Sequence, residues 1–148
     1  MQNVTNSPAA IEYVLDSYAL LAYLEGEPGS ERVKDLLESS SEGQCHLYMS
    51  VINIGEVLYI VERERGLAKA QETLARIDEL PLEITPADRN LTLAAAHLKT
   101  DCPIAYAGCF AAALSQAHNA RLVTGDTEFR KVKAECNLQI EWLANRKD

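Results

Sequence analysis

The sequence predicts a three-layer α/β/α domain with a mainly parallel central sheet, and three observations predict it. Short aliphatic or β-branched runs alternate with helical patterns of about 10–15 residues, the order that builds parallel sheets covered on both faces. The 148 residues fit a single domain, 1–148. At 47% hydrophobic and 24% charged residues, the composition is that of a globular chain with a sizeable core. It excludes a disordered, collagen-like or disulfide-stapled chain.

Each element has a local reason. Residues 1–10 are polar and expected to be loose. Tyr13-Val14-Leu15 is an apolar run ending at Asp16 and reads as a buried strand. Tyr18 to Leu24 reads as helix, stopped near Gly26 and Pro28. Ser30 is placed to cap a second helix with Val33, Leu36 and Leu37 at helical spacing, and 39–43 (SSSEG) reads as a loop. The run 46–50 (HLYMS) is a second strand. Ser50 then caps a helix with Ile54, Val57, Leu58 and Val61 on its apolar face, closed by Gly66. A further helix covers 67–79, and 82–85 (LEIT) is a short strand. Thr85 as cap and Pro86 at the first helical position start a helix through about His97. Residues 105–118 form a helix that is apolar nearly all round, so it is buried on more than one side. Leu122-Val123-Thr124 is a strand running into Gly125-Asp126, and Gln139 to Leu143 is the last strand.

Fourteen Lys and Arg against 22 Asp and Glu leave a formal net charge of -8. Binding to nucleic acid usually rests on cationic side chains that release phosphate counterions. An acidic chain doing so needs local basic patches, a bound cation or a basic partner. The N-terminal residues have neither the basic nor the apolar region of a secretory signal. The longest apolar stretch, 103–114, falls short of the roughly 20 residues of a bilayer span, so no membrane association is expected. Cys45, Cys102, Cys109 and Cys136 form no C-x-x-C pair. They read as reduced, mostly buried thiols in a cytoplasmic protein.

In a parallel sheet, ligands bind beyond the carboxyl ends of the strands. Asp16 and Asp126 both follow strands at that end. Each also has a plain reading, Asp16 as a helix cap and Asp126 as a turn residue. Glu56 lies on a mostly apolar helix, where a carboxylate is not buried without a partner. It is exposed at the edge of that face, paired with a cation such as Arg63, or directed at a metal. Glu62 belongs to the solvated face. Converging carboxylates repel and raise one another's pKa values unless a cation offsets them. Oxygen donors suit Mg2+ or Mn2+. Such ions polarise a phosphate and acidify a bound water for in-line attack, which is phosphodiester hydrolysis. The cation would also let an acidic chain meet RNA.

These residues resemble the PIN-domain family, and within it the VapC-type ribonuclease toxins of bacterial toxin–antitoxin systems. The similar stretches are VLDSYALLAYL (14–24), SVINIGEVLYIV (50–61), PIAYAGCFAAALSQAHNARLVTGDTEF (103–129) and IEWL (140–143). The resemblance implies a PIN fold, Mg2+- or Mn2+-dependent endoribonuclease activity on RNA, a homodimer, and inhibition by an antitoxin protein. It makes Asp16, Glu56 and Asp126 the catalytic, metal-site carboxylates, and puts Glu128 where the family often has a further acid.

One position departs from the pattern. The family carries an acid at the start of the long apolar helix, in a stretch resembling Ser-x-Ala-Asp. Here Ala105-Tyr106-Ala107-Gly108 stands there, so both ends of a capping box are absent. Three explanations stay open. The remaining carboxylates hold a metal and cleave slowly or selectively; Asp101 or Glu128 substitutes; or the chain binds RNA or a protein partner without cleaving.

Arg130, Lys131 and Lys133 follow Asp126 closely and are the candidate RNA-backbone contacts, with a solvated helix face as the alternative. Tyr18 and Tyr106 are placed either to stack on a base or to form the edge of the core. His97 and His118 read as structural. Two other acid-at-strand-end classes fit poorly. A phosphoacceptor receiver domain needs paired acids after the first strand and a lysine closing the last. Here Ser17 and Tyr18 follow Asp16, and Lys147 lies beyond Leu143. A haloacid-dehalogenase-type phosphatase needs Asp-x-Asp, and position 18 is Tyr.

Overall fold

The computed structural model describes residues 10–144. All of the expected loose segment 1–10 except Ala10, together with Lys147, lies outside the described residues. Five strands are described: β1 (Ile11–Leu15), β2 (Cys45–Ser50), β3 (Glu83–Thr85), β4 (Arg121–Thr124) and β5 (Ile140–Trp142). Six α-helices accompany them: α1 (Ser17–Glu25), α2 (Ser30–Ser41), α3 (Val51–Arg65), α4 (Leu67–Asp78), α5 (Arg89–Asp101) and α6 (Tyr106–His118).

The sheet order is β3-β2-β1-β4-β5, and every neighbouring pair is parallel. The chain builds outward from β1 to β3, then crosses back to add β4 and β5 on the other side of β1. That reversal makes the β1–β4 boundary the switch point, where a crevice opens beyond the strand ends.

Side chains alternate across the sheet with period two. Tyr13, Leu15, Leu47, Met49 and Val123 pack on one face with Leu20, Val33, Ile54 and Val57. Val14, Tyr48 and Leu122 pack on the other with Leu91, Ala95, Phe110 and Leu114. The three-layer α/β/α fold expected from the sequence is therefore the observed one. Residues 109–115 of α6 are buried without a break, which explains why that helix is apolar all round. Edge strand β5 is tied back by Arg32 of α2, which donates to both carboxylate oxygens of Glu141 at 2.7 and 3.0 Å.

Several boundaries differ from expectation. Helix α2 is capped by Gly29, with Ser30 as its first residue and no side-chain cap bond. Helix α5 begins at Arg89 and runs to Asp101; its cap is Asp88, whose Oδ1 accepts from Leu91 N–H at 2.8 Å. Thr85 is the last residue of β3, paired with Ser50, so its backbone belongs to the sheet and not to a cap. Helix α2 continues into the expected loop as far as Ser41, and the chain turns at Gly43, whose φ is +74°. Two short 3-10 helices, Thr127–Lys131 and Ala134–Cys136, lie between β4 and β5.

Candidate active site

The register Leu15↔Val123 sets the end of β1 beside the end of β4. The next residues, Asp16 and Thr124, are therefore neighbours across the switch point. Asp16 has extended backbone and caps α1, its Oδ1 accepting from Ala19 N–H at 2.9 Å. Its Oδ2 accepts the Thr124 hydroxyl. The Thr124 oxygen in turn accepts the backbone N–H of Asp126 at 3.0 Å. Asp126 then caps the following 3-10 turn, accepting from Glu128 N–H at 2.9 Å. One hydroxyl thus links the two strand-end aspartates.

Asp16, Glu56, Asp126 and Glu128 line one small pocket of about 40 Å³ with Ser17, Tyr18, Asn53, Ala105, Gly108 and Phe129. Its walls are the N-termini of α1 and α6, the first half of α3 and the turn after β4. Asp16 is only 4% exposed. Burial pushes its carboxyl up to about 7, against the Thr124 and Ala19 hydrogen bonds, and the charges of Asp126 and Glu56 push the same way. Asp16 is thus the cap of α1 and also lines the pocket at the switch point.

The donors facing this pocket are all oxygen, the type that suits a hard divalent cation. A cation there would relieve the desolvation and repulsion carried by Asp16. Among the described residues no three His, Cys, Asp or Glu side chains already stand as a metal-binding group, so side-chain rearrangement would accompany binding. The residues available to hold an ion are Asp16, Glu56, Asp126 and Glu128.

The position of the missing acid, Gly108, faces the same pocket. A Cβ there would meet Phe129 Cζ at 3.4 Å and Ile104 Cδ1 at 3.6 Å, which is ordinary contact. Ala105 caps α6 without any side-chain hydrogen bond, as the lost capping box predicts. Neither Asp101 nor the basic residues Arg130, Lys131 and Lys133 line the pocket. The three basic residues are exposed, and Arg130 sits over the Trp142 ring, 5.4 Å from its centroid. Arg63 lies over the Tyr59 ring at 5.6 Å. Glu56 is half-buried in the pocket wall.

Two further side chains help build the site. Thr124 ends strand β4, and its hydroxyl next to Gly-Asp is the sequence signal for it. Asn53, one turn before Glu56, is 1% exposed. Its amide donates to Ala107 O at 3.0 Å and Ser17 Oγ at 3.3 Å, tying α3 to the starts of α1 and α6. A fully polar side chain on an apolar helix face was the signal there.

An α/β domain with clustered carboxylates at the switch point of a parallel sheet is the class that fold and pocket define. The model of the PIN domain family matches residues 13–135. The chain belongs to the PIN domain family. No curated protein matches in sequence. Solved structures with the same fold include VapBC2 from Rickettsia felis bound to a promoter DNA fragment, at TM-score 0.70 and 21% identity, covering 90% of this chain and 100% of that one. DNA-bound VapBC from Salmonella typhimurium aligns at TM-score 0.68 and 14% identity, over 88% and 97% of the two chains. VapC20 of Mycobacterium tuberculosis, a sarcin–ricin loop cleaving toxin, aligns at 0.63 and 15%, over 80% and 92%.

Proposed function

We propose that this chain, a single domain, is a metal-dependent endoribonuclease of the VapC toxin type. The observation that carries the reading is the convergence of Asp16, Glu56, Asp126 and Glu128 on one small pocket at the switch point. Membership in the PIN family and the fold shared with a sarcin–ricin loop cleaving toxin support it. Asp16, Glu56 and Asp126 would hold Mg2+ or Mn2+, with Glu128 as a further ligand. When bound, the ion neutralises phosphate charge and makes water a better nucleophile for in-line attack. Thr124 holds Asp16 in position, and Arg130, Lys131 and Lys133 contact the RNA backbone outside the pocket.

Solved structures that share the fold include a toxin–antitoxin complex from Klebsiella pneumoniae and a member of the VapBC family of toxin–antitoxin systems from Mycobacterium tuberculosis, which supports an antitoxin partner. A groove of about 330 Å³ between α1 and α3 adjoins the pocket and shares Tyr18 with it. A cytoplasmic homodimer is the form that the likeness to VapC-type toxins implies. No helix among the described residues is long and apolar enough to cross a membrane.

A second reading is favoured by Gly108. With no acid at that position, the chain binds RNA or a protein without cleaving. Cleavage of a mixed RNA panel with Mn2+ separates the two, comparing the natural chain, Asp16→Asn and Gly108→Asp. Cleavage by the natural chain and not by Asp16→Asn upholds the nuclease. Cleavage by Gly108→Asp alone upholds the binding form.

A further inference from the structure

We propose that Cys102 and Cys136 form a modification site, a dithiol that a peroxide closes to an intramolecular disulfide. The sulfurs lie 3.9 Å apart although the residues are 34 positions apart in the chain. Cys102 is the C-cap that follows α5 and is buried; Cys136 ends the 3-10 turn Ala134–Cys136 and is half-buried.

The approach belongs to the fold, because both backbones are anchored. Cys102 N–H donates to Leu98 O at 3.0 Å, and Cys136 N–H donates to Lys133 O at 3.0 Å. The Cys136 carbonyl accepts from Gln116 Nε2 at 2.6 Å. Bond formation closes this contact from 3.9 Å to about 2.05 Å. Cys45 directs its thiol elsewhere, to the Leu36 carbonyl at 3.5 Å. Cys109 is fully buried in α6.

Access sets the order of events. Burial and the neighbouring Cys136 thiol hold Cys102 above the usual thiol range, with Lys133 acting in the opposite direction. The more accessible Cys136 is therefore the sulfur that meets the oxidant. Its thiolate attacks one peroxide oxygen, the O–O bond breaks, and the departing hydroxide takes a proton to become water. The Cys102 thiolate then attacks the Cys136 sulfenic sulfur and breaks the S–O bond, and the departing hydroxide takes the proton that Cys102 gave up and leaves as a second water. Two thiols are oxidised and one peroxide is reduced. The link would pin the turn that follows Arg130, Lys131 and Lys133 to the end of α5.

The full-length chain, treated with hydrogen peroxide and then alkylated, tests this by non-reducing peptide mapping. The expected result is one linked peptide pair, Cys102 with Cys136, the loss of two of the four thiols, and recovery of both with dithiothreitol. Thermal unfolding of the oxidised chain should shift upward by about 5 °C or more. Cys136→Ser should give no linked pair and no shift. Retention of all four thiols, a link through Cys45 or Cys109, or a link between chains would overturn the proposal.

Discussion

Thr124 donates its hydroxyl proton to Asp16 across the boundary between β4 and β1. The same oxygen receives the Asp126 N–H at 3.0 Å. A single strand-end side chain therefore sets both the position of a buried carboxylate and the start of the turn that carries Asp126 and Glu128. Thr124→Val keeps the shape and removes the hydroxyl. It leaves a buried acceptor and a backbone donor without their partner, at a cost of about 1–3 kcal/mol. Urea unfolding measures that loss. Because the hydrogen bond lowers the Asp16 pKa, the variant should also bind a divalent cation more weakly near neutral pH. Unchanged stability and unchanged Mn2+ affinity would show that the bridge is incidental.

The raised pKa of Asp16 has a signed consequence for stability. The carboxyl stands at about 7 in the folded chain against 3.8 for the free group. Between those values the folded state holds more protons than the unfolded one, so stability falls as pH rises. The penalty is absent below the unfolded value and complete above about 7. Asp16→Asn removes the charge and should stabilise the metal-free chain at pH 8 by about 2 kcal/mol, with little gain at pH 4. The full shift is not recovered, because the amide replaces a carboxylate that accepts hydrogen bonds at both oxygens. Unfolding curves across that range check the sign. A variant less stable at pH 8 than at pH 4, relative to the natural chain, would contradict it.

Gly125 makes room for Tyr18. A Cβ at Gly125 would fall 2.2 Å from Tyr18 Cε1 and 2.7 Å from Cζ, so the ring must move. Gly125→Ala should cost about 1–3 kcal/mol through this overlap. Combining it with Tyr18→Ala should recover most of the loss, since the two residues share one contact. Strict additivity in the double variant would refute the packing account.

The sequence carried the central layout of the site because that layout follows from strand ends. Asp16 and Asp126 each follow an apolar run, and a parallel sheet puts such ends on one side. Their actual meeting depends on β1 and β4 being neighbours, which is a matter of strand order and not of local pattern. Thr124 was hidden for that reason: its partner is 108 positions away. Asn53 was hidden because its bonds run to Ser17 and Ala107, on two other helices. The start of α5 failed for a local reason. Thr85-Pro86 has the form of a helix start, yet pairing with Ser50 holds Thr85 in the sheet, and Asp88 serves as the cap three residues later.

Restoring the absent acid should be structurally easy. A Cβ at Gly108 meets nothing closer than 3.4 Å, and the position lies in the first turn of α6, where a negative side chain is favoured. Gly108→Asp should therefore fold, and it should bind Mn2+ roughly 10-fold tighter than the natural chain. Calorimetric titration of the two proteins checks both points. Equal affinities would mean that the other carboxylates already complete the site.

The carboxylates around Asp16 are proposed to form one divalent-cation site. Titration of the full chain with Mn2+ at pH 7.5, followed by the loss of the free-ion electron paramagnetic resonance signal, tests it most directly. Saturable binding to the natural chain is expected, strongly weakened in Asp16→Asn and in Glu56→Gln while both variants remain folded. Binding that is absent from the natural chain, or equal in all three proteins, would contradict it.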